Sequence, residues 1–546
     1  MSGQPKNKMK YQNFFPHKKI RKSQEKAIEF ALDSFVNSDK RFVIIEAGTG
    51  VGKSAAGLTI ARYLNAQFPS VDGFEDGTYF VTTQKILQEQ YTSDFGPPNG
   101  IMRSIKSSSN YTCSFHKQNT CKESQQLLKT QDRKSRFFKA CTMNCKYKND
   151  KQKFIDSAES VTNFPYLMTE STYSGKITPR KLIIIDEAHN IETELSKFIE
   201  VNISERFCKQ TLKIKWPYVK TQYQVVKWIM DEYYPKVKSR LSHMEKKIEE
   251  TGIKDRIDEF IQISKQLDML RSHVKKVGSF LKNYKAQNWV YQSVPSMGRS
   301  MRKFSFKPID VSQYAHNHLF RLGYKVVMMS ATILDPDVFC ESLGIEKSET
   351  SFISLPTPFP VENRPILIHP VGSMAAKSID STLPTMVRAI KEILNEHKNE
   401  KGIIHCHTYK IAKYLKDGLR SDRILTHTSE NRDEILRKHE RSKKPTVLLS
   451  PSMAEGVDLK DNLSRFQIIV KIPYPYLGDP LVRKRMNKWS AWYPLQTAKL
   501  IVQSVGRSVR SEKDSAVTYI LDRDWERFYR KNTAIFPRSF RESIVK

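Results

Sequence analysis

Short apolar runs recur along the chain, and most end in glycine, serine, threonine or paired acids. Residues 42–46, 78–82, 182–185 and 324–332 read as strands buried on both faces, the pattern of a parallel sheet. Stretches at helical spacing separate them, such as Ala27, Ile28, Ala31, Leu32 and Phe35. Pro356, Pro358 and Pro360 mark a linker, after which strands are predicted near 366–369, 402–407, 446–450, 466–472 and 516–521. Between residues 195 and 303 the character changes to long, charged helices. Val237, Leu241, Met244 and Ile248 step by 4, 3, 4, and Ile263, Leu267, Leu270, Val274, Val277 and Leu281 repeat that spacing. Heptad spacing on two segments, broken at Thr251-Gly252, predicts an antiparallel helical hairpin.

The candidate chemistry sits where predicted strands end. After residues 42–46 comes the loop Ala47, Gly48, Thr49, Gly50, Val51, Gly52, then Lys53 and Ser54 at a helix start. Glycines let the backbone turn its N–H groups inward as a phosphate nest at a helix N-terminus. Lys53 would reach the β- and γ-phosphates and Ser54 would hold Mg²⁺. Upstream, Gln24 can offer an amide to an adenine edge. Residues 182–185 deliver Asp186 and Glu187: the first suits Mg²⁺, the second an attacking water, and His189 could couple nucleotide state to a partner domain. Glu455, Gly456 and Asp458 lie in a polar loop after a later strand. Gln503, Gly506, Arg507 and Arg510 are spaced to share one helix face, and the two arginines suit fingers for a γ-phosphate. Cys113, Cys121, Cys141 and Cys145 are separated by 7, 19 and 3 residues. Basic and polar residues fill those gaps, so the thiols are read as ligands rather than core, with Zn²⁺ and an iron–sulfur cluster both open.

Composition narrows the partner. The 546 residues exceed one core, and two to four domains are expected. Lys+Arg outnumber Asp+Glu by 91 to 58, which predicts a polyanion partner, nucleic acid for an ATPase. From residue 480 to 546 the excess is 15 to 6, with Trp489, Trp492, Tyr493, Trp525, Phe528 and Tyr529 interleaved; one or two of these rings are expected to stack on bases. No apolar stretch reaches membrane-spanning length and the N-terminus lacks a signal pattern. A bacterial or phage source then implies the cytoplasm, a eukaryotic one the nucleus.

In this order, AGTGVGKS, NYTC with three further cysteines, DEAH, MMSAT, PFPVENRP, EGVDL, RFQIIVKIPYPYLGDP and QSVGRSVR resemble the XPD/DinG-like iron–sulfur superfamily 2 DNA helicases. The resemblance spans residues 21 to 523. It implies an α/β chain with two RecA-like P-loop motor domains, the first carrying an iron–sulfur cluster insertion and a helical arch insertion. The implied layout is motor domain 1 at 1–104, 151–197 and 304–350, a cluster domain at 105–150, an arch at 198–303 and motor domain 2 at 351–546. It also implies ATP, Mg²⁺ and a [4Fe–4S] cluster on the four cysteines, single-stranded and forked DNA as partners of a monomer, and 5′-to-3′ movement. An RNA-directed helicase and a nucleic-acid clamp or remodelling ATPase that does not unwind are the alternatives.

Overall fold

The computed structural model describes residues 10–48, 50–128, 132, 134–143, 145–250, 257–295, 301–453, 459, 461–509 and 511–545. Strands β1 (Phe42–Ala47), β2 (Glu75–Thr82), β3 (Arg103–Ser104), β4 (Glu159–Asn163) and β5 (Arg180–Asp186) alternate with helices such as Lys22–Val36, Lys53–Gln67 and Lys85–Phe95. Then come β6 (Val201–Ser204), β7 (Trp289–Val294), β8 (Lys303–Pro308), β9 (Gly323–Ser330) and β10 (Thr350–Leu355). Seven of these ten strands form one parallel sheet in the order β10-β1-β9-β5-β2-β4-β3. A second parallel sheet holds β11 (Ile366–Gly372), β12 (Gly402–His405), β13 (Ile424–Thr426), β14 (Val447–Ser450), β15 (Phe466–Ile469) and β16 (Val517–Asp522), ordered β11-β16-β15-β12-β14-β13.

The central strands β1 and β5 are buried along their whole length, because helices cover both faces of the sheet. Each fully buried Val, Ile or Leu there contributes about 1.5–3 kcal/mol relative to exposure. Register then fixes the working edge. Glu46 stands opposite Ser330 and Asp186 opposite Met329, so β1, β9 and β5 end side by side. In parallel sheets that carboxyl edge is where ligands bind.

Three features differ from the sequence expectation. The first sheet runs past the boundary placed at residue 350: Thr350–Leu355 pairs along all of β1, covering an edge that would otherwise expose its backbone groups. The segment inserted between β5 and β9 is not purely helical. Its β6, β8 and β7 form an antiparallel sheet, whose alternating apolar positions are too short to stand out beside the heptads. The expected helices are Tyr234–Glu250 and Ile257–Lys282, packed together; the Thr251-Gly252 break lies outside the described residues. Third, Cys121, Cys141 and Cys145 are buried in the first lobe's core with Phe137 and Tyr147, so polar neighbours in sequence did not mean polar surroundings. No helix among the described residues is long and apolar enough to cross a membrane.

Arg180 shows how β5 is anchored. It is buried, lies 4.3 Å from the Tyr79 ring centroid, and donates to the carbonyls of Ile155 at 2.5 Å and Ser157 at 2.9 Å and to Ser160 Oγ at 2.9 Å. Arg180→Ala removes a charged donor from these groups and leaves only Ser160 Oγ to serve Ser157 O, a cost of about 2–4 kcal/mol. The expected result is a lowered midpoint for the first-lobe transition in thermal or denaturant unfolding.

Candidate nucleotide site and cysteine cavity

The loop after β1 is built to leave a helix end open. Gly50 and Gly52 have φ of 80° and 86°, a left-handed backbone that a Cβ disfavours. A Cβ on Gly52 would also lie 2.3 Å from Gln24 Nε2. The helix Lys53–Gln67 starts from Gly52 with no side-chain cap, so its first N–H groups keep their capacity for an anion. Lys53 Nζ folds back onto the loop, donating to Ala47 O at 2.9 Å and Gly48 O at 3.4 Å. The Ala47 and Val51 side chains are buried. Thr49 lies outside the described residues.

Gln24 supports the loop itself. Its Oε1 accepts from Arg21 N at 2.9 Å and its Nε2 donates to Gly52 O at 3.1 Å. Arg21 Nη1 donates to Gly50 O at 2.6 Å. The buried amide braces the phosphate loop, because one turn of helix places it under Gly52, where no side chain stands in its way.

At the end of β5, Asp186 accepts from Glu187 N at 2.9 Å and from Tyr91 Oη at 3.1 Å. Burial, and then the Glu187 charge, push Asp186 above the usual carboxylate range, while Lys53 pulls it down. Ser54 hydrogen-bonds the same Tyr91 hydroxyl, whose pKa burial raises well above that of a free tyrosine. Lys53, Ser54, Asp186 and Glu187 therefore form one constellation. Tyr91 escaped sequence reasoning because it reads as an ordinary apolar position of its helix. Glu187 has a φ of 53°, strain of a kind that collects at working sites.

His189 connects this constellation to the second lobe. Its Nδ1 is 2.9 Å from Ser330 Oγ and 3.3 Å from Glu187 Oε2, and its Nε2 is 2.9 Å from Gln503 Nε2. Gln503 Nε2 also donates to Thr332 Oγ1 at 3.1 Å. Burial lowers the His189 pKa to about 4, helped by Lys499, Arg507 and Lys53. A neutral ring accepting the Gln503 amide at Nε2 carries its proton on Nδ1, aimed at Ser330. The expectation of one helix face is not met. The helix ends at Val505, Gly506 and Arg507 lie in the turn beyond it, and Arg510 lies outside the described residues. Ser508 explains the exit, since its hydroxyl bonds Ser464 Oγ at 2.8 Å and pulls the chain into the second lobe. Gln467 holds the helix end from beneath, donating to Val505 O at 2.8 Å. Gly48, Glu187, Thr332, Gln503 and Arg507 line one cleft of about 710 Å³ between the lobes. Gly456 and Asp458, with Glu455, lie outside the described residues.

A second brace between the lobes had no sequence signal. Arg485, buried, meets Glu192 at 2.7 Å and donates to Ile309 O at 2.9 Å, and Trp492 Nε1 donates to Glu192 Oε2 at 3.4 Å. Of the aromatic residues expected beside a basic track, Trp492, Trp525 and Phe528 are core.

Cys113, Cys121, Cys141 and Cys145 line one small cavity with Phe137 and Tyr147. The Cys121 and Cys145 sulfurs are 3.6 Å apart. Burial raises both Cys121 and Cys141, the latter to about 11, and the neighbouring thiols add to it. Among the described residues no three ligand-type side chains converge tightly enough for a single ion. Four thiols around a shared space, with Cys121 and Cys141 disfavoured as isolated thiolates, are a donor set that fits a thiolate-bound metal centre, zinc or iron–sulfur.

Residues 390–543 match the family model described as a helicase C-terminal domain, and residues 17–215 match that of the type III restriction enzyme res subunit. The chain is 25% identical over 255 residues to the ATP-dependent DNA helicase DinG of Photobacterium profundum, covering 43% of this chain and 36% of that protein. It is 23% identical over 403 residues to a probable ATP-dependent helicase of Methanocaldococcus jannaschii, covering 65% and 60%. The matches thus span between about a third and three-fifths of these relatives' lengths. The fold is similar to that of an XPD helicase, with a TM-score of 0.64 at 16% identity over 95% of this chain and 98% of that one. It is also similar to S. tokodaii Xpd4, with a TM-score of 0.57 at 14% identity over 96% and 99%. The two parallel sheets have the fold of RecA-like domains, and the chain is similar in sequence to DinG-type helicases and in fold to XPD helicases.

Proposed function

We propose that this protein is an ATP-dependent DNA helicase that moves 5′-to-3′ on single-stranded DNA and separates the strands of a fork. The observation that carries the reading is the hydrogen bond from Gln503 of the second lobe to His189, two residues beyond Glu187. It ties the lobe that holds Arg507 to the carboxylates beside the phosphate loop, so ligand state and lobe spacing form one equilibrium.

ATP lies with its phosphates on the loop from Gly48 to Gly52, and Lys53 exchanges the Ala47 carbonyl for the β- and γ-phosphates. Ser54 and Asp186 would hold Mg²⁺, which would supply charge that neutralises the phosphates. Glu187 orients and deprotonates the attacking water, and Arg507 and Arg510 meet charge on the γ-phosphate from the other lobe. Gly456 and Asp458 complete the second lobe's share of the site. Hydrolysis removes the contact that favours closure, and alternating grip on the strand turns the cycle into steps. Residues 105–150 form the cluster domain, in which Cys113, Cys121, Cys141 and Cys145 would hold a [4Fe–4S] group that would supply a redox-capable centre. Residues 198–303 form the arch, and the second motor domain begins beyond Leu355.

Lys53→Ala is expected to lower DNA-stimulated ATP hydrolysis at least about a hundredfold, the scale for removing one preorganised charge donor; turnover at the wild-type rate would remove Lys53 from the site. Strand displacement on matched duplexes is expected with a 5′ single-stranded tail and not with a 3′ tail. Displacement from the 3′ tail reverses the polarity, stimulation by RNA in preference to DNA changes the substrate, and ATPase activity without displacement leaves a clamp or translocase. Protein purified without oxygen is expected to carry about four irons per chain with visible charge-transfer absorbance, both lost in Cys121→Ser; one zinc per chain would replace the cluster with a mononuclear site.

A further inference from the structure

Residues 213–220 of the inserted domain carry neither helix nor strand and form a strap between Cys208–Leu212 and the helix Gln222–Trp228. Its side chains are sorted by side. Ile214, Trp216 and Val219 pack against the domain's core, with Trp216 stacked on Phe304 at a centroid distance of 4.1 Å. Lys213, Lys215, Tyr218 and Lys220 are exposed. Tyr218 is 89% exposed, with Lys220 Nζ 5.7 Å from its ring centroid, and Tyr223 and Lys227 continue the exposed row onto the next helix. From Arg206 to Met230 there are six Lys and Arg and no Asp or Glu. Among the described residues Lys209 and Arg302 are paired with Glu205, whereas no ion pair involves Lys213, Lys215, Lys220 or Lys227.

We propose that this strap is a nucleic-acid contact outside the motor cleft, taking a single strand of DNA that flanks the segment held between the lobes. The idea rests on the helicase reading and adds a site to it. Anchoring at Ile214, Trp216 and Val219 leaves Lys213, Lys215, Tyr218 and Lys220 on the outer side of the strap. A row of lysines along one side tracks a sugar–phosphate backbone, and a solvent-exposed tyrosine among them offers a face on which a base stacks. Because Ile214, Trp216 and Val219 already hold the strap, binding does not have to order it, which preserves the affinity gained from each contact. An acidic peptide is the competing ligand, met by charge alone.

The test uses the full chain with Lys215→Ala, Tyr218→Ala and Lys220→Ala combined. All three side chains are exposed, so the thermal midpoint is expected to stay at the wild-type value. ATPase stimulation by a short oligothymidine that fills only the motor cleft is expected to be unchanged. Affinity for a long-tailed fork is expected to fall about tenfold or more, with the salt slope reduced by about 1.4 for two lost phosphate contacts on a single strand. A Tyr218→Trp variant is expected to show fluorescence quenching by oligothymidine. Unchanged fork affinity and slope in the triple variant, or quenching by polyglutamate and not by oligothymidine, overturns the proposal. A wild-type chain that shows the fork-binding difference but no oligothymidine-stimulated ATPase discards the motor reading and keeps the strap.

Discussion

Three adjacent parallel strands, β1, β9 and β5, are the constraint on which the site depends. Their ladders set Glu46 beside Ser330 and Asp186 beside Met329, so the phosphate loop, the Ser330–Thr332 turn and the paired acids leave the sheet at one edge. A one-residue slip in any ladder would turn its buried side chains toward the opposite face. The apolar packing that holds register therefore also holds the nucleotide chemistry. Glu46 extends the link, since its buried carboxylate accepts from Leu334 N at 2.5 Å and Ser354 Oγ at 2.8 Å, binding the chain segments after β9 and in β10 to the floor of the cleft.

From that edge a short buried polar chain reaches the second lobe. Ser330, His189, Gln503 and Thr332 satisfy one another, and burial keeps the imidazole neutral. Burial is the main reason for that neutrality; Lys499, Arg507 and Lys53 act in the same direction and the Glu187 carboxylate, 3.3 Å away, acts against it. Gln503 Oε1 is buried with no protein partner among the described residues, which makes this joint tight but not fully saturated. Networks of this kind are costly to leave half made.

The cysteines and the inserted segment show how tertiary packing can reverse a local impression. Around Cys121 and Cys141 the sequence is basic and polar, yet both side chains lie in a core with Phe137 and Tyr147. The helix that starts at Cys121 packs on the long helix Ile257–Lys282, so the cysteine-bearing segment and the inserted hairpin brace each other. A rigid joint there would transmit strain between parts of the chain that are far apart in sequence.

Strand-end motifs were legible because each carries its function in consecutive residues. The glycines before Lys53, the acids after β5 and the hydroxyls after β9 combine a buried run with a polar terminus, and a parallel sheet puts all such termini on one side. The heptads of the inserted hairpin were legible for a similar reason, since a helix's packing face is written in its own period. Tyr91, the Arg485–Glu192 brace and the bracing role of Gln24 were not legible, because each depends on a partner brought close only by folding. The end of the helix at Val505 was hidden too, since it is set by Ser508 reaching Ser464 across 44 positions. The sequence by itself determined which side chains could serve a phosphate and a metal. Tertiary structure alone decided which of them share a cleft, because register, burial and contacts between lobes are properties of packed elements rather than of any one segment.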